Sequence, residues 1–320
     1  MKVYKNETGY IELIKDILEE GVMHPDRTSV GGCIKLFSRT LSFDLTEGHP
    51  TSTVRLCSGR LGFEEFWAFL NGVIDIHPYL EERGINFWKG NTTREELDKK
   101  GLTHLPEGSI GKGYSFQYRN FGGDFITKTT KIEEGLTRTS VTYEPDMKGF
   151  DQIKNLFQEL KNNPFSRRHL VSIWNPAPDQ MDQMALPPCF WAHEFVCMKN
   201  EEGGIDLNLQ VFARSSDVVF GLPSNYQQFS IYLQCLAKAL GYRAKQIDIV
   251  IGDAHIYLNQ VDYAKEILQR DLIEGSVDFV LNKPVSSFEE FLSITWDDIE
   301  LRDYDYNRSK MKTPRPQMAV

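Results

Sequence analysis

The segment ALPPCFWAHEF places a cysteine directly behind two prolines, a pattern that could support covalent chemistry. Pro187 and Pro188 fix the backbone ahead of Cys189, so the thiol is held at the start of a strand instead of on a flexible loop. A held thiol can be a nucleophile, although a lone cysteine is more often a small apolar packing group. Cys189, His193 and Cys197 also invite a metal reading, because they are spaced by four. On a helix they would share a face, but on a strand four residues span ~13 Å, too far for ligands of one ion. The prolines before Cys189 and the alternation after it favour a strand, so no metal is expected.

Further along, ARSSDVVFGLPSN puts Arg214, Ser215 and Asp217 at the end of an alternating segment. Gly221, Pro223 and Asn225 follow at the entrance to an apolar helix. An arginine beside hydroxyls suits phosphate, and an arginine near a thiol favours the thiolate. The same residues would also make an ordinary charged loop and helix N-terminus. PFSRRHLVSIWNP offers Arg167 and Arg168 as a phosphate clamp or a solvated turn. GDAHIYLN offers His255 and Tyr257, read here as a loop between strand and helix, where such a pair can hold a sugar hydroxyl. A lone histidine near an apolar helix can equally be structural.

These groups need a scaffold, and 320 residues with 41% hydrophobic content can build one. TGYIELIKDILEEG has helical spacing, with Thr8 as cap and Gly21 as stop. IKLFSRTLSFDL alternates and predicts two short strands, and LGFEEFWAFLNG a helix closed by Gly72 on which only one of Glu64 and Glu65 can face inward. From Trp88 to Lys148 the chain is polar and Gly-rich, either working loops or a small subdomain. GFDQIKNLFQELKNNP predicts a helix ending before Pro164, HLVSIW a buried strand and IDLNLQVFAR a strand delivering Arg214. SNYQQFSIYLQCLAKALG predicts a long buried helix, then QIDIVIG a strand and YLNQVDYAKEILQRD a helix. Strands and helices mix without a strict repeat, which predicts an α+β fold in a single domain over 1–320. The net charge of −9 argues against broad nucleic-acid binding. Five scattered cysteines argue for reduced thiols. With no apolar run near ~18 residues and no signal-peptide core, a soluble, cytoplasmic protein is expected.

Taken in order, several segments are similar to the folate-dependent thymidylate synthase family. They are DRT (Asp26 to Thr28), EEFWAFLNG around Glu65, FWKGNTTREELDKKGL from Phe87 and GKGYSFQYRNFGG around Tyr114. SRR, MALPPC, RSSD, GLPSN, GDAHIYLN and the terminal Met318-Ala319-Val320 continue the match. The resemblance implies a large mixed β-sheet flanked by helices, with sheets packed back to back in a homodimer. It implies Cys189 as the nucleophile that adds to ring position 6 of a uridylate, with Arg214 holding the thiolate form. Glu65 and Tyr114 would handle proton transfers. Arg27, Arg214 and Ser215 of one chain, with Arg167 and Arg168 of its partner, would hold the phosphate. Asn225 would read the amide edge of uracil, and His255 and Tyr257 the sugar hydroxyl. Methylene-tetrahydrofolate would be the co-substrate, lined by Trp88, Asn91, Asp217 and Gly221, with Val320 closing over it.

The chain departs from the family pattern at several places. Phe190 follows the nucleophile where His is common, and Arg55 replaces a lysine. Ser58 and Gly59 replace an aromatic pair, Ser224 replaces Phe and Ala213 replaces Gln. Lost aromatics would remove stacking area on the folate side. The expected reaction is methylation of dUMP to dTMP. The alternative is a pyrimidine nucleotide hydroxymethylase, in which water replaces hydride after the same adduct. A third reading is an inactive nucleotide- or RNA-binding relative, against which Cys189, Glu65 and Arg214 all stand.

Overall fold

The computed structural model of the chain describes residues 7–26, 28, 30–133 and 136–317. In chain order it runs α1 (Thr8–Glu20), β1 (Val22–His24), β2 (Cys33–Asp44), α2 (Gly59–Leu70), α3 (Ile76–Glu81), α4 (Arg94–Lys99) and α5 (Tyr114–Arg119). The hairpin β3 (Phe125–Glu133) and β4 (Leu136–Pro145) precedes α6 (Gln152–Asn162), β5 (Leu170–Ser172), α7 (Pro178–Met181) and β6 (Phe190–Lys199). Then come β7 (Ile205–Asp217), α8 (Gly221–Leu240), β8 (Arg243–Tyr257), α9 (Val261–Leu268), β9 (Asp278–Leu281), α10 (Phe288–Leu292) and β10 (Ile299–Arg302). The chain divides into two compact units. One comprises Met1–Phe66, Glu159–Leu170 and Cys189–Val320, the other Trp67–Gln158 and Val171–Pro188.

A six-stranded sheet runs in the order β1-β2-β8-β7-β6-β5, and all of its strands but β5 lie wholly within the first unit. β7 and β8 are parallel, whereas β2 with β8 and β6 with β7 are antiparallel, so the sheet is mixed and the fold α+β, as expected. Period-two alternation buries Leu207, Leu209, Val211 and Ala213 of β7 beside Ile247, Ile249 and Ile251 of β8. α8 packs against both strands and is apolar around most of its circumference, as a buried helix must be. Gly241, in the left-handed region at φ 72°, ends it and donates its N–H to the Ala237 carbonyl.

Three local expectations need correction. IKLFSRTLSFDL belongs to one twelve-residue strand, because β8 pairs along its whole length; only Ser38, at φ 54°, breaks the run between Phe37 and Arg39. HLVSIW yields a strand of three residues with Leu170 exposed, since it lies at the sheet edge. Thr8 is the first helical residue and not the cap. The preceding Glu7 turns its buried carboxylate to the Thr53 N–H and hydroxyl at 2.8 and 2.5 Å.

Much of the second unit comes from the polar, Gly-rich stretch. Leu97, Leu102, Leu105 and Ala185 form a small core, with Phe125 packed on it. Polar ties add to it. Arg119 grips Asp151 through two nitrogens at 3.0 and 2.9 Å and donates to the Leu70 carbonyl at 2.6 Å. Gln152 pairs with both the N–H and the carbonyl of Ser172. Among the described residues no helix is long and apolar enough to cross a membrane.

Candidate active site

Cys189 sits immediately before β6, and the Arg214 N–H on β7 donates to its carbonyl at 2.8 Å. The same arginine brings Nη2 to 3.8 Å from Cys189 Sγ. One residue thus meets the cysteine through both main chain and side chain, and the sheet ladder sets the distance. The register of β6 on β7 shifts between Phe190 and Ala192, a bulge that bends the strand just after the thiol. Cys33, Cys57, Cys197 and Cys235 are buried, whereas Cys189 is partly exposed. Burial pushes the Cys197 thiol up to about 11, and the Cys57 and Cys235 thiols also rise by burial. His193, wrapped by the rings of Phe66, Phe229 and Tyr232, is driven down to about 3 by burial.

The polar candidates gather where the parallel strands β7 and β8 end. Cross-strand partners put Ser215 opposite Asp253, Asp217 opposite His255 and Lys35 of β2 opposite His255. His255 and Tyr257 lie inside β8 and not in a loop, because β2 pairs with them to the last residue of the strand. Their rings meet edge to face at 4.8 Å. Asp253 contacts His255 Nδ1 at 3.1 Å. Its place two residues before the histidine puts both on one strand face, a period-two signal within GDAHIYLN.

Asp217 lies at the very end of β7, three residues beyond Arg214. Its Oδ1 accepts from the N–H groups of Val219 and Phe220 at 3.0 and 3.1 Å, and its Oδ2 accepts from Gln260 at 2.9 Å. It therefore builds the turn that starts α8. Gly221 opens that helix, with Asp217 and the Asn225 side chain at its bare face. Arg167 and Arg168 are exposed on the loop between α6 and β5. That loop is pinned by His169, whose Nε2 lies 3.0 and 3.2 Å from the carbonyls of Asn163 and Pro164. Glu64 and Glu65 of α2 are both half-buried, so neither is turned wholly inward. Arg27 and Val320 lie outside the described residues.

In the second unit, Trp88, Tyr114 and Phe69 form one aromatic cluster. Phe69 stacks on Tyr114 at 4.8 Å and 12°, and Trp88 meets both edge on at 6.0 and 6.1 Å. Phe69 was not singled out in the sequence, and its helical position one turn after Glu65 is ordinary core spacing. Asn91, half-buried, closes the 3₁₀ turn Lys89–Asn91 that follows Trp88.

A family model described as thymidylate synthase matches residues 8–315. The chain belongs to the thymidylate synthase family. It is 32% identical to the thymidylate synthase of Saccharomyces cerevisiae over 96% of this chain and 97% of that one. It is 34% identical to the thymidylate synthase of Ascaris suum, with 84% of each chain covered. It is also 33% identical to the bifunctional dihydrofolate reductase-thymidylate synthase of Paramecium tetraurelia, over 96% of this chain and 61% of that protein. The chain spans about half the length of other bifunctional relatives.

Departures from the thymidylate synthase pattern find partners within the first unit. A Cβ on Gly59 would lie 3.3 Å from both Gln227 and Trp296, and one on Gly62 only 2.9 Å from the Ser224 carbonyl. These small residues let α2 and α8 approach closely. Gln227 of α8 also donates to the Cys57 carbonyl at 3.3 Å, just ahead of α2. Arg55 donates to the Val219 carbonyl at 2.6 Å and lies over the Phe220 ring, which Arg315 also covers. The charge kept at Arg55 supports the turn from β7 into α8.

Proposed function

We propose that this chain methylates dUMP to dTMP, with methylene-tetrahydrofolate as co-substrate and a covalent adduct at Cys189. The observation carrying this reading is the Cys189–Arg214 pair, in which a partly exposed sulfur lies 3.8 Å from a guanidinium. A cation so placed favours the thiolate, which adds to ring carbon 6 and makes carbon 5 nucleophilic. Methylene-tetrahydrofolate supplies both the one-carbon unit and the hydride, and leaves as dihydrofolate. Glu65 and Tyr114 move protons at the base and the folate. Arg214 and Ser215, with Arg27, hold the phosphate. Asn225 reads the uracil amide edge, and His255 and Tyr257 take the sugar hydroxyl. Trp88, Asn91, Asp217, Gly221 and Val320 form the folate side, Asp217 through the turn it builds. No metal enters the reaction.

The enzyme works as a homodimer in which Arg167 and Arg168 reach the partner's phosphate site. Two features support this: both arginines are exposed, and Phe37, Trp191, Val196 and Met198 on the sheet strands are exposed apolar groups. The two units act as one catalytic domain, for the chain passes between them at four points in sequence. Five free cysteines fit a cytoplasmic setting. The test is to incubate the protein with dUMP and methylene-tetrahydrofolate, following dihydrofolate absorbance and product mass. A product heavier by a methyl equivalent with dihydrofolate formed supports the reading. A hydroxymethylated product with tetrahydrofolate retained overturns it.

A further inference from the structure

Lys35 has no part in the chemistry above, yet its ammonium lies 2.9 Å from Asp253 Oδ2. The other oxygen of that carboxylate is the one that meets His255 Nδ1 at 3.1 Å. Lys35, Asp253 and His255 therefore form a chain across the β2–β8 pair, with the lysine directly opposite the histidine in register. Tyr257 closes on the imidazole at the next position of the same strand face. His255 is only 8% exposed, so little water competes for its ring. Hydrogen bonds from His255 and Lys35 hold the Asp253 carboxyl down to about 2. An ionised carboxylate only accepts, so the ring nitrogen facing it must carry the hydrogen. In a neutral imidazole the far nitrogen, Nε2, is then an acceptor.

We propose that Lys35 is a positioning residue for sugar recognition, fixing His255 through Asp253 so that Nε2 accepts a hydrogen bond from a sugar hydroxyl. The inference rests on the nucleotide reading of the site. It gives that reading a specificity: the site selects a nucleotide whose sugar offers a donor hydroxyl, and disfavours one lacking it. Removing the ammonium leaves Asp253 without its second partner and frees the carboxylate to turn from the ring. The imidazole then loses its fixed tautomer, which costs recognition of the hydroxyl more than recognition of the phosphate or base.

The experiment measures dissociation constants of dUMP and its 3′-deoxy analogue for the wild-type protein, Lys35→Met and Lys35→Arg. Wild type is expected to prefer dUMP by ~3–10-fold, one net hydrogen bond. Lys35→Met should lose most of that preference by weakening dUMP while leaving the analogue unchanged, and Lys35→Arg should restore it. In ¹⁵N-histidine spectra, the His255 signal, assigned by its loss in His255→Gln, should show protonated Nδ1 and unprotonated Nε2. That pattern should become mixed in Lys35→Met. An unchanged preference in Lys35→Met, equal weakening of both nucleotides, or a wild-type ring protonated at Nε2 overturns the role of Lys35 alone. A wild-type protein that binds neither nucleotide overturns the nucleotide reading as well.

Discussion

Residues proposed to meet the nucleotide are positioned by different means from Trp88, proposed for the folate side, and Tyr114, proposed for proton transfer. In the first unit, Arg214, Ser215, His255 and Tyr257 stand on β7 and β8 and are held by backbone pairing: His255 between Lys35 of β2 and Asp217 of β7, Ser215 opposite Asp253, Tyr257 opposite Cys33, and Arg214 through its N–H to the Cys189 carbonyl. In the second, Trp88 precedes a short 3₁₀ turn and Tyr114 opens a six-residue helix. Ring contacts with Phe69 hold that pair together. A ladder distributes positional control over many backbone bonds, so a side chain can be removed without moving its neighbours. A ring cluster concentrates control in a few contacts, so one substitution shifts several residues.

The largest test of this contrast is Arg214→Ala. The ladder bond from residue 214 to the Cys189 carbonyl is made by backbone and survives, while the guanidinium near sulfur is lost. Turnover, measured as kcat/KM for dUMP, should fall on the order of 10²–10³-fold with the urea midpoint almost unchanged. A large loss of stability would show that the ladder does not position the cysteine independently.

Acid should loosen the first unit next. His49 and His193 are buried, and burial holds both near 3, well below the ordinary value of 6.5. Between those values the unfolded chain binds protons that the native chain does not. Stability is therefore intact above about 6.5 and falls as pH drops toward 3, by up to ~1.4 kcal/mol per pH unit for each histidine. Urea melts at pH 7 and pH 5 should show the loss, and His193→Phe should make the dependence shallower. A flat profile from 7 to 5 would contradict the neutral burial of both rings.

Gly62→Ala should cost about 1–2 kcal/mol, because the new methyl would meet the Ser224 backbone carbonyl and cannot displace it cheaply. Ordinary helix propensity would favour alanine by up to ~1 kcal/mol, so a stabilised variant would show that α2 and α8 are not in close contact there. Phe69→Leu is the smallest change, ~0.5–1.5 kcal/mol for the lost stack. It should raise KM for the folate while leaving the dissociation constant of dUMP alone, and equal effects on both would erase the contrast between the two regions.

The same division separates what could be read in the sequence from what could not. The alternation of IDLNLQVFAR and QIDIVIG, and the prolines ahead of Cys189, are local signals, and β6, β7 and β8 lie where they point. Where β7 and β8 end is a tertiary fact: pairing with β2 carries β8 on through His255 and Tyr257, past the point where alternation fades. The Trp88 to Lys148 stretch is only weakly periodic because its helices are six residues or fewer, and polar ties such as Arg119–Asp151 work beside its small apolar core. Order within the motifs told more than any one of them. Cys189 is one of five cysteines until Arg214 is seen beside it, and the strand pairing that brings them together spans 25 residues of sequence.

The central claim is that Cys189 attacks the pyrimidine. Release of tritium from 5-tritiated dUMP in the presence of methylene-tetrahydrofolate, by wild type and by Cys189→Ala, tests it most directly. The account predicts folate-dependent release by wild type and a loss of at least ~10³-fold in the variant. Release by Cys189→Ala near the wild-type rate, or none by wild type, would contradict it.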